Sequence, residues 1–410
     1  MKILLVNKFH YLKGGSETFY FALAEILKKA GHEVIYFAMQ DEKNFECSES
    51  EFFVSNVDYN KKMGVIKKIL NACKIFYSFE AKRNIKKLIE KEKPDIVHLG
   101  LIHKQITFSI IGVIKRYNIP IVYSVHDMIL ACPCYTMLSP QGTCQKCIDK
   151  GVISCIKKSC VKGSKVKSIL AVLENRFIKF NNYYNKIDVY ISECEFYKQV
   201  LSKANFTNSP IECITNFLPP SKSIELNIVN GEYFLYFGRF SREKGVLTLI
   251  SGYKKSGLNI PLFIIGGGPE EGIVKDYVRK NNLSDRVNFL GYVYGSQMEE
   301  YIRNSKAIIV PSEWYENCPY SIIESMAKSK IVIASNIGGL PELIDDGVNG
   351  YMFESGNENA LCGVLKRVSM LDDQEFERMS VLIYKKAKIT FDGDIYLEKL
   401  MGIYKRQLNL

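Results

Sequence analysis

The chain has 410 residues, of which 47% are hydrophobic and 24% are charged, with a formal net charge of +11. This composition excludes a disordered protein, and the length predicts two domains, because single cores rarely grow beyond about 250–300 residues. No run of about 18 apolar residues occurs, and the strand-like N-terminus lacks signal-peptide anatomy. We therefore expect a cytoplasmic protein, either free or peripheral on the cytoplasmic face of the membrane.

The excess positive charge is concentrated in two patches. Residues Lys61–Lys93 contain eleven Lys/Arg and three acidic residues, and Lys157–Lys179 contain seven Lys/Arg and one Glu. Nucleic acid is not predicted as a partner, because no nucleic-acid-binding motif accompanies the lysines. In the first patch, apolar residues such as Val65, Ile69 and Phe76 interleave with the lysines, which suits an anionic membrane surface. A solvated helix face explains the same pattern, so both interpretations stay open.

Strand-like and helix-like segments alternate through the first half of the chain. The apolar run Lys2–Asn7 leads through a Gly14-Gly15 turn to an amphipathic helix over Ser16–Ala30, which we expect Ser16 to cap. Further strands are predicted at Glu33–Ala38, Asp95–Leu99, Ile119–Val125, Ile187–Ile191 and Ile211–Ile214. This βαβ rhythm predicts a mainly parallel sheet with helices on both faces.

A second α/β series follows a linker that contains Pro219-Pro220. Its strands are predicted at Tyr233–Phe237, Pro261–Ile265, Val287–Leu290, Ala307–Val310 and Ile331–Ala334. The predicted fold class is therefore α/β, with two Rossmann-like doubly wound domains facing each other across a ligand cleft. We expect domains at residues 1–218 and 231–389, a linker at 219–230, and a final helix at about 390–410 that packs back on the first domain.

Basic residues follow the first strand of the second series. Gly238-Arg239 follows that strand, and Lys244-Gly245 opens the next helix. A guanidinium fork and an ammonium group near helix amides suit a pyrophosphate, although ordinary surface positions explain one Arg and one Lys as well. The glycine run that starts at Gly266 follows the next strand, but its sixth position is Glu271, where a dinucleotide fingerprint requires Gly or Ala. A tight strand-to-helix turn is the preferred interpretation of that run.

Two glutamates follow the strand Ala307–Val310, and seven residues separate them. We expect Glu316 in the loop at the carboxyl end of the strand. Glu324 should lie one turn into a helix that begins near Tyr320, where its carboxylate can accept two ribose hydroxyls. From the spacing alone, an exposed pair of carboxylates on a helix surface is an equally good explanation.

These residues together resemble the signature of family 4 retaining glycosyltransferases with the GT-B fold. The similarity rests on Glu316-x7-Glu324, Ser325-Met326-Ala327 and Ile337-Gly338-Gly339-Leu340-Pro341-Glu342, and on Gly14–Glu17, Gly238-Arg239, Lys244-Gly245, Gly266-x-Gly268-Pro269 and Val287–Gly291 in the family's order. The resemblance implies a metal-independent, hexosyltransferase-like enzyme that needs no cofactor. It would use a UDP- or GDP-linked sugar as co-substrate and a glycan or lipid-linked saccharide as acceptor, in bacterial surface polysaccharide synthesis.

The resemblance also implies roles for individual residues. Arg239 and Lys244 would bind the diphosphate of the donor and assist its departure as catalytic groups. Glu324 would hold the ribose hydroxyls, and Glu316 would contact hydroxyls of the transferred sugar. The departing phosphate would take the acceptor's proton, so no protein nucleophile is assigned. A non-catalytic sugar-nucleotide-binding protein and, less favoured, a dinucleotide-dependent oxidoreductase are the alternatives.

Three further parts of the resemblance concern loops. His126, after a strand, is similar to a family histidine that would act near the sugar, although a lone histidine is often structural. Gly15 would let the backbone approach the donor phosphate or the acceptor. Many relatives carry Gly three residues after the first glutamate, where this chain has Pro319, which has no N–H. Backbone donors to the sugar or phosphate would then come from Cys318, Tyr320 and Ser321.

Six of the twelve cysteines lie in one short stretch of the chain. They are Cys132, Cys134, Cys144, Cys147, Cys155 and Cys160. The Cys-x2-Cys pair is typical of half a zinc site, and the other four cysteines could complete a tetrahedral set. The irregular spacing is equally compatible with free thiols or disulfides, so a structural zinc is one of two open interpretations.

Overall fold

A computed structural model describes residues 1–56 and 74–410 of the chain. The chain is divided into two units. The first unit consists of Met1–Pro140, Cys144–Pro220 and Gly393–Leu410, and the second of Gln141–Thr143 and Ser221–Asp392. The part of the first basic patch that precedes residue 74 lies outside the described residues.

The first unit is built on a six-stranded parallel sheet. In chain order, the strands before Pro220 are β1 (Lys2–Val6), β2 (Glu33–Phe37), β3 (Ile96–Leu99), β4 (Ile121–Val125), β5 (Leu138–Ser139), β6 (Gly142–Thr143), β7 (Val189–Ser192) and β8 (Ile211–Cys213). The sheet has the order β2-β1-β3-β4-β7-β8, and all its pairings are parallel. Strands β3 and β4 are buried at every residue, as expected for strands covered on both faces. The six predicted strands are therefore confirmed, each with small shifts at its ends.

Helices connect these strands. Their bounds are α1 (Gly15–Lys29), α2 (Phe79–Glu92), α3 (Ile111–Arg116), α4 (Lys146–Lys150), α5 (Ile153–Lys157), α6 (Lys165–Phe180) and α7 (Glu195–Ala204), with 3-10 turns at Ser48–Phe52, Phe108–Ile110, Met128–Leu130 and Tyr184–Lys186. The prediction that Ser16 caps the first helix was wrong. Gly14 is the N-cap residue of α1, and the Ser16 hydroxyl instead donates to Glu17 Oε1 at 3.1 Å.

The second unit repeats the architecture. Its strands are β9 (Phe234–Phe237), β10 (Leu262–Ile265), β11 (Val287–Gly291), β12 (Ala307–Val310), β13 (Val332–Ser335) and β14 (Gly350–Phe353), in the order β11-β10-β9-β12-β13-β14. All pairings between these strands are parallel. The five predicted strands are confirmed. Strand β14 was not predicted, because Gly350 and the short run after it lack a clear strand pattern.

The helices of the second half complete the fold. They are α8 (Val246–Ser256), α9 (Glu271–Lys280), α10 (Gly295–Arg303), α11 (Tyr320–Ala327), α12 (Leu340–Leu343), α13 (Glu358–Ser369), α14 (Asp373–Thr390) and α15 (Gly393–Leu408), with a 3-10 turn at Arg242–Lys244. Helix α15 belongs to the first unit. Its Tyr396 ring contacts those of Phe19 and Phe217, and its Tyr404 hydroxyl lies 2.6 Å from His98 Nδ1. The last helix thus completes the core of the unit that contains the N-terminus.

Candidate functional site

Two loops of the second unit meet because β9 and β12 are neighbours in the sheet. The first loop follows β9 and contains Arg239 and Lys244. The second follows β12 and contains Glu316. Since the strands are parallel, both loops leave the same carboxyl edge of the sheet, which is where ligands bind in open α/β folds.

Lys244 and Glu316 form an ion pair at this edge. The Lys244 Nζ lies 2.6 Å from Glu316 Oε1, and the Ser312 hydroxyl donates to the same oxygen at 2.6 Å. The Glu316 side chain is only 3% exposed, whereas that of Lys244 is 27% exposed. Lys244 also lies 5.2 Å from the ring centroid of Trp314. The buried carboxylate therefore fixes an ammonium group that is still partly open to ligands.

Close backbone contact holds the two loops in register. Gly245 has φ 65°, and a Cβ at this position would lie 1.9 Å from the Pro311 carbonyl oxygen. The Glu313 N–H donates to the Glu243 carbonyl at 2.9 Å, and the Thr248 hydroxyl donates to the Glu313 carboxylate at 2.5 Å. Only glycine satisfies both the left-handed φ and the close approach at position 245.

A third loop supports Glu316 from the other side. Gly338 has φ 63°, and a Cβ there would lie 2.4 Å from the Glu316 carbonyl oxygen and 2.6 Å from its backbone nitrogen. The next residue, Gly339, donates its N–H to the Glu316 carbonyl at 2.8 Å. The glycines that precede α12 thus allow one loop to clamp the backbone of the buried glutamate. These glycines belong to the motif that resembles the family signature, and no individual role was predicted for them.

Arg239 is placed differently from Lys244. Its side chain is exposed, and among the described residues no hydrogen bond or ion pair engages its guanidinium. The Arg239 carbonyl accepts a hydrogen bond from the Tyr236 hydroxyl at 2.9 Å, which fixes the backbone at this position. A guanidinium on an anchored backbone is suited to bidentate recognition of a phosphate.

Glu324 lies on α11, as predicted, and has a partner that the sequence did not indicate. The Lys222 Nζ lies 2.6 Å from Glu324 Oε1, and the two side chains are 27% and 16% exposed. Both residues belong to the second unit, although 102 positions separate them in sequence. Lys222 lies in the stretch interpreted as a linker. Its positive charge was the one sequence signal there for a partner of Glu324.

The start of α11 contains the remaining predicted donor-binding residues. Pro319 is the N-cap residue and makes no side-chain capping bond. Cys318 is buried, whereas Tyr320 and Ser321, in the first turn, are partly exposed. The first turn of a helix with aligned amides attracts anions, so these backbone groups remain suited to a phosphate.

The space beside the glycine run after β10 is filled by the backbone of a neighbouring loop. A Cβ on Gly266 would lie 2.1 Å from the Gly238 carbonyl oxygen, and one on Gly268 would lie 2.4 Å from the Phe240 carbonyl oxygen. The Phe240 N–H also donates to the Gly267 carbonyl at 2.9 Å. The glycines are therefore required where two strand-end loops pack together. This arrangement favours the strand-to-helix turn over a dinucleotide-binding loop.

His126 lies at the carboxyl end of β4 in the first unit. Its side chain is 6% exposed, and its Nδ1 is hydrogen-bonded to Glu193, which follows β7. Burial lowers the pKa of His126, but Glu193, Glu17 and Asp127 together raise it above its ordinary value. Glu193 was not predicted, because 67 positions separate it from His126 and only the adjacency of β4 and β7 brings them together.

A small cavity of about 10 Å³ lies beside His126, close to the volume that one water needs. Asn7 and Gly100 line it, and a Cβ on Gly100 would lie 3.0 Å from Asn7 Oδ1 and 3.7 Å from His126 Nε2. Asn7 also donates to the buried Glu17 at 3.3 Å. Gly15, the other predicted residue of this unit, is the first residue of α1. His126 is therefore part of a buried polar network at the strand ends.

The six clustered cysteines, which we call the thiol cluster, are free thiols. They are Cys132, Cys134, Cys144, Cys147, Cys155 and Cys160. The Cys147 thiol is within hydrogen-bonding reach of those of Cys132 and Cys155, and the Cys134 thiol lies 3.3 Å from the Cys160 carbonyl. Burial raises the pKa of Cys160 to about 12. Within the described ranges no group of His, Cys, Asp and Glu is arranged to hold a metal ion, so the structural zinc interpretation is not supported.

Two family models match the chain. The model described as Glycosyltransferase Family 4 matches residues 13–222, and the one described as Glycosyl transferases group 1 matches residues 221–386. An uncharacterized glycosyltransferase of Methanocaldococcus jannaschii is 26% identical over 363 residues, which cover 88% of this chain and 86% of that protein. An amylovoran biosynthesis glycosyltransferase of Erwinia amylovora is 27% identical over 42% of this chain and 44% of its own length.

A solved structure supports the same fold. HepE of Anabaena, in complex with UDP and glucose, superimposes with a TM-score of 0.67 at 18% identity, covering 99% of this chain and 100% of that chain. At this level of identity the likeness concerns the fold alone. The predicted fold class of two Rossmann-like domains is confirmed.

Proposed function

Because the chain belongs to glycosyltransferase family 4, we propose that it transfers a sugar from a nucleotide-diphosphate sugar to a glycan or lipid-linked saccharide with retention of configuration. The observation that carries this proposal is the Lys244–Glu316 pair, which holds a partly exposed ammonium group at the carboxyl edge of the second sheet. An ammonium fixed there is suited to the charge that develops on a departing phosphate.

The donor diphosphate binds between Arg239, Lys244 and the first turn of α11 in this proposal. A lysine ammonium has three N–H donors, and Glu316 uses one of those of Lys244, so two are left for phosphate oxygens. The free Arg239 fork supplies a bidentate contact. The backbone N–H groups of Tyr320 and Ser321, in the first turn of α11, are further hydrogen-bond donors for the phosphate oxygens, and Cys318 precedes this turn.

The ribose and the transferred sugar bind to the two glutamates. Lys222 occupies Oε1 of Glu324, and the carboxylate has further lone pairs that can accept ribose hydroxyls. Glu316 has a double role, since its Oε1 holds Lys244 while Oε2 would contact a hydroxyl of the sugar. UDP is the first donor nucleotide to test, because HepE was solved with UDP and glucose. GDP is the second.

The reaction uses electrostatic stabilisation and no protein nucleophile. As the bond between the sugar and the phosphate breaks, negative charge accumulates on the phosphate, and Arg239 and Lys244 stabilise it. The acceptor hydroxyl attacks the face from which the phosphate leaves, and the phosphate takes its proton. Neither a metal ion nor a cofactor takes part. His126, held by Glu193, and Gly15 are the residues of the first unit that take part in this proposal.

Surface polysaccharide synthesis is the proposed context, because one relative is an amylovoran biosynthesis glycosyltransferase. The test is release of nucleoside diphosphate from UDP-, GDP- and ADP-sugars, with a panel of lipid-linked and soluble saccharide acceptors. Product anomers are then assigned by nuclear magnetic resonance. One donor should be consumed with the anomeric configuration kept, and Glu324→Ala should lower turnover by about 10²-fold or more. Inversion of the anomeric centre, or full turnover by the variant, would refute the proposal.

A further inference from the structure

Helix α6 presents an unusual outer face. Its exposed residues are Lys165, Val166, Lys167, Ile169, Leu173, Arg176, Lys179 and Phe180. Four of these are cationic and four are apolar, and none is acidic or neutral polar. The one acidic residue of the helix, Glu174, is buried on the opposite side, where it lies 3.4 Å from His103 Nδ1. The outer face therefore has four positive charges and no compensating negative charge of its own.

The apolar residues on this face are substantially exposed. Val166 is 68% exposed, Ile169 37%, Leu173 46% and Phe180 90%. Their spacings of three, four and seven residues place them along one side of the helix. A helix side that is only solvated normally carries Glu, Gln or Ser among its lysines. A stripe of apolar side chains bordered by lysines and arginine is instead typical of a helix that lies in a membrane interface.

The adjacent helix extends this surface. Helix α5 packs against α6, and it exposes Ile153 at 47% together with Lys157. Lys162, in the connection between the two helices, is also exposed. In contrast, the outer side of α2 carries acidic Glu90, which lies 3.6 Å from Lys86 as an ion pair. The second basic patch of the sequence therefore forms a more uniformly cationic and apolar surface than the described part of the first.

The charge and the apolar stripe of this face together indicate which kind of partner it binds. A second copy of the chain docked through the same face would bring four cations against four cations, which opposes a symmetric contact. A nucleic acid would satisfy the cations but leave the exposed phenylalanine and leucine without a matching surface. An anionic bilayer satisfies both, because phosphates lie at its surface and acyl chains lie just below. In the residues that the structure describes, no helix is long and apolar enough to span a bilayer.

We propose that the outer face of α6, with Ile153 and Lys157 of α5, binds the surface of an anionic phospholipid bilayer. The apolar side chains insert at the boundary between headgroups and acyl chains, and the cations contact lipid phosphates. Phe180, the most exposed of the apolar side chains, inserts furthest. This inference stands apart from the proposed sugar transfer, since it uses no residue of the donor site.

The test measures binding of the full chain to vesicles without any nucleotide sugar. Vesicles of phosphatidylcholine are compared with vesicles in which about one third of the lipid is phosphatidylglycerol, by co-flotation. The wild-type chain should bind the anionic vesicles, bind the neutral ones weakly, and be released as salt screens the charges. Phe180→Ser should weaken binding about tenfold. Lys165→Glu with Lys179→Glu should weaken it by about 25-fold or more, at about fivefold for each cation removed.

A matched control comes from α14 in the second unit, where Ile389 is 70% exposed and Lys385 is also exposed. Ile389→Ser with Lys385→Glu should change vesicle binding less than twofold. Unchanged melting temperatures of all variants would show that each is folded. Absence of wild-type binding, equal binding to neutral vesicles, or binding that the α6 variants leave intact would overturn the inference. Sugar transfer to a soluble acceptor is measured separately, so failure of one proposal does not imply failure of the other.

Discussion

Truncation of the two cations of the proposed donor site should affect stability differently, with Lys244→Ala destabilising the chain and Arg239→Ala leaving its stability unchanged. Lys244→Ala removes the ammonium group 2.6 Å from a carboxylate that is 3% exposed, and leaves that carboxylate with the Ser312 hydroxyl as its one side-chain partner among the described residues. Breaking a buried pair costs about 3–5 kcal/mol, and the 27% exposure of Lys244 reduces this to about 2–4 kcal/mol. For a unit of this size, the melting temperature should fall by about 5–12 °C.

Arg239→Ala should leave stability unchanged. Its guanidinium is exposed and unpaired within the described part of the chain, so the change in the free energy of unfolding should stay within about 0.5 kcal/mol. Both variants should nevertheless lose about 10²–10³-fold in turnover, because each loses a donor to the departing phosphate. Arg239→Ala therefore separates donor binding from folding.

The assay combines circular dichroism melting with release of nucleoside diphosphate. Arg279→Ala on α9 is the control, since this side chain is 72% exposed and pairs only locally with Asp276. The control should keep both its melting temperature and its turnover. Wild-type turnover of Arg239→Ala, or a wild-type melting temperature of Lys244→Ala, would refute these roles.

Three further predictions concern other parts of the molecule. Gly338→Ala should destabilise the chain by about 2–4 kcal/mol and abolish turnover, because its Cβ would lie 2.4 Å from the Glu316 carbonyl oxygen. Gly347→Ala is the control: this residue also has a positive φ, but the nearest contact of its Cβ would be at 3.5 Å, so the variant should lose only about 1 kcal/mol of stability. The raised pKa of His126 means that its bond to Glu193 stabilises fully below about pH 6.5 and progressively less as pH rises through the folded pKa. The melting-temperature difference between wild type and Glu193→Gln should shrink as the pH rises above about 6.5, and a constant difference would contradict this. Cys160 should react with iodoacetamide much more slowly in the native chain than in denaturant, by roughly 10³-fold for a thiol whose pKa is about 12, and rapid labelling of Cys160 in the native chain would contradict this raised pKa.

Most of the strands could be predicted from the sequence because each of these is a short apolar run bounded by turn residues. Eleven predicted runs coincide with strands of the two six-stranded sheets, in which β14 is the strand that was not predicted. The two-residue strands β5 and β6, which pair with each other, were not predicted either. The motif residues could be placed as well, because a parallel sheet sends every loop of one edge to the same side. Glu316 and Glu324 therefore lie in the loop and on the helix where the pattern predicted them.

The partners of the site residues could not be predicted in the same way. Lys222 and Glu324 are 102 positions apart, and His126 and Glu193 are 67 positions apart. Such pairs depend on which strands become neighbours, and no local pattern encodes that. The close contact between Gly338 and the Glu316 backbone could not be predicted either, because a glycine in a turn motif does not indicate which backbone it approaches.

We propose that the second unit binds a nucleotide-diphosphate sugar through these loops. Isothermal titration of UDP and GDP into the wild-type chain and into Glu324→Ala and Arg239→Ala tests it directly. One nucleotide should bind the wild type, and each variant should bind it at least about tenfold more weakly, as expected when a charged hydrogen bond is lost. Equal affinity of the wild type and both variants, or no binding of either nucleotide, would contradict the account.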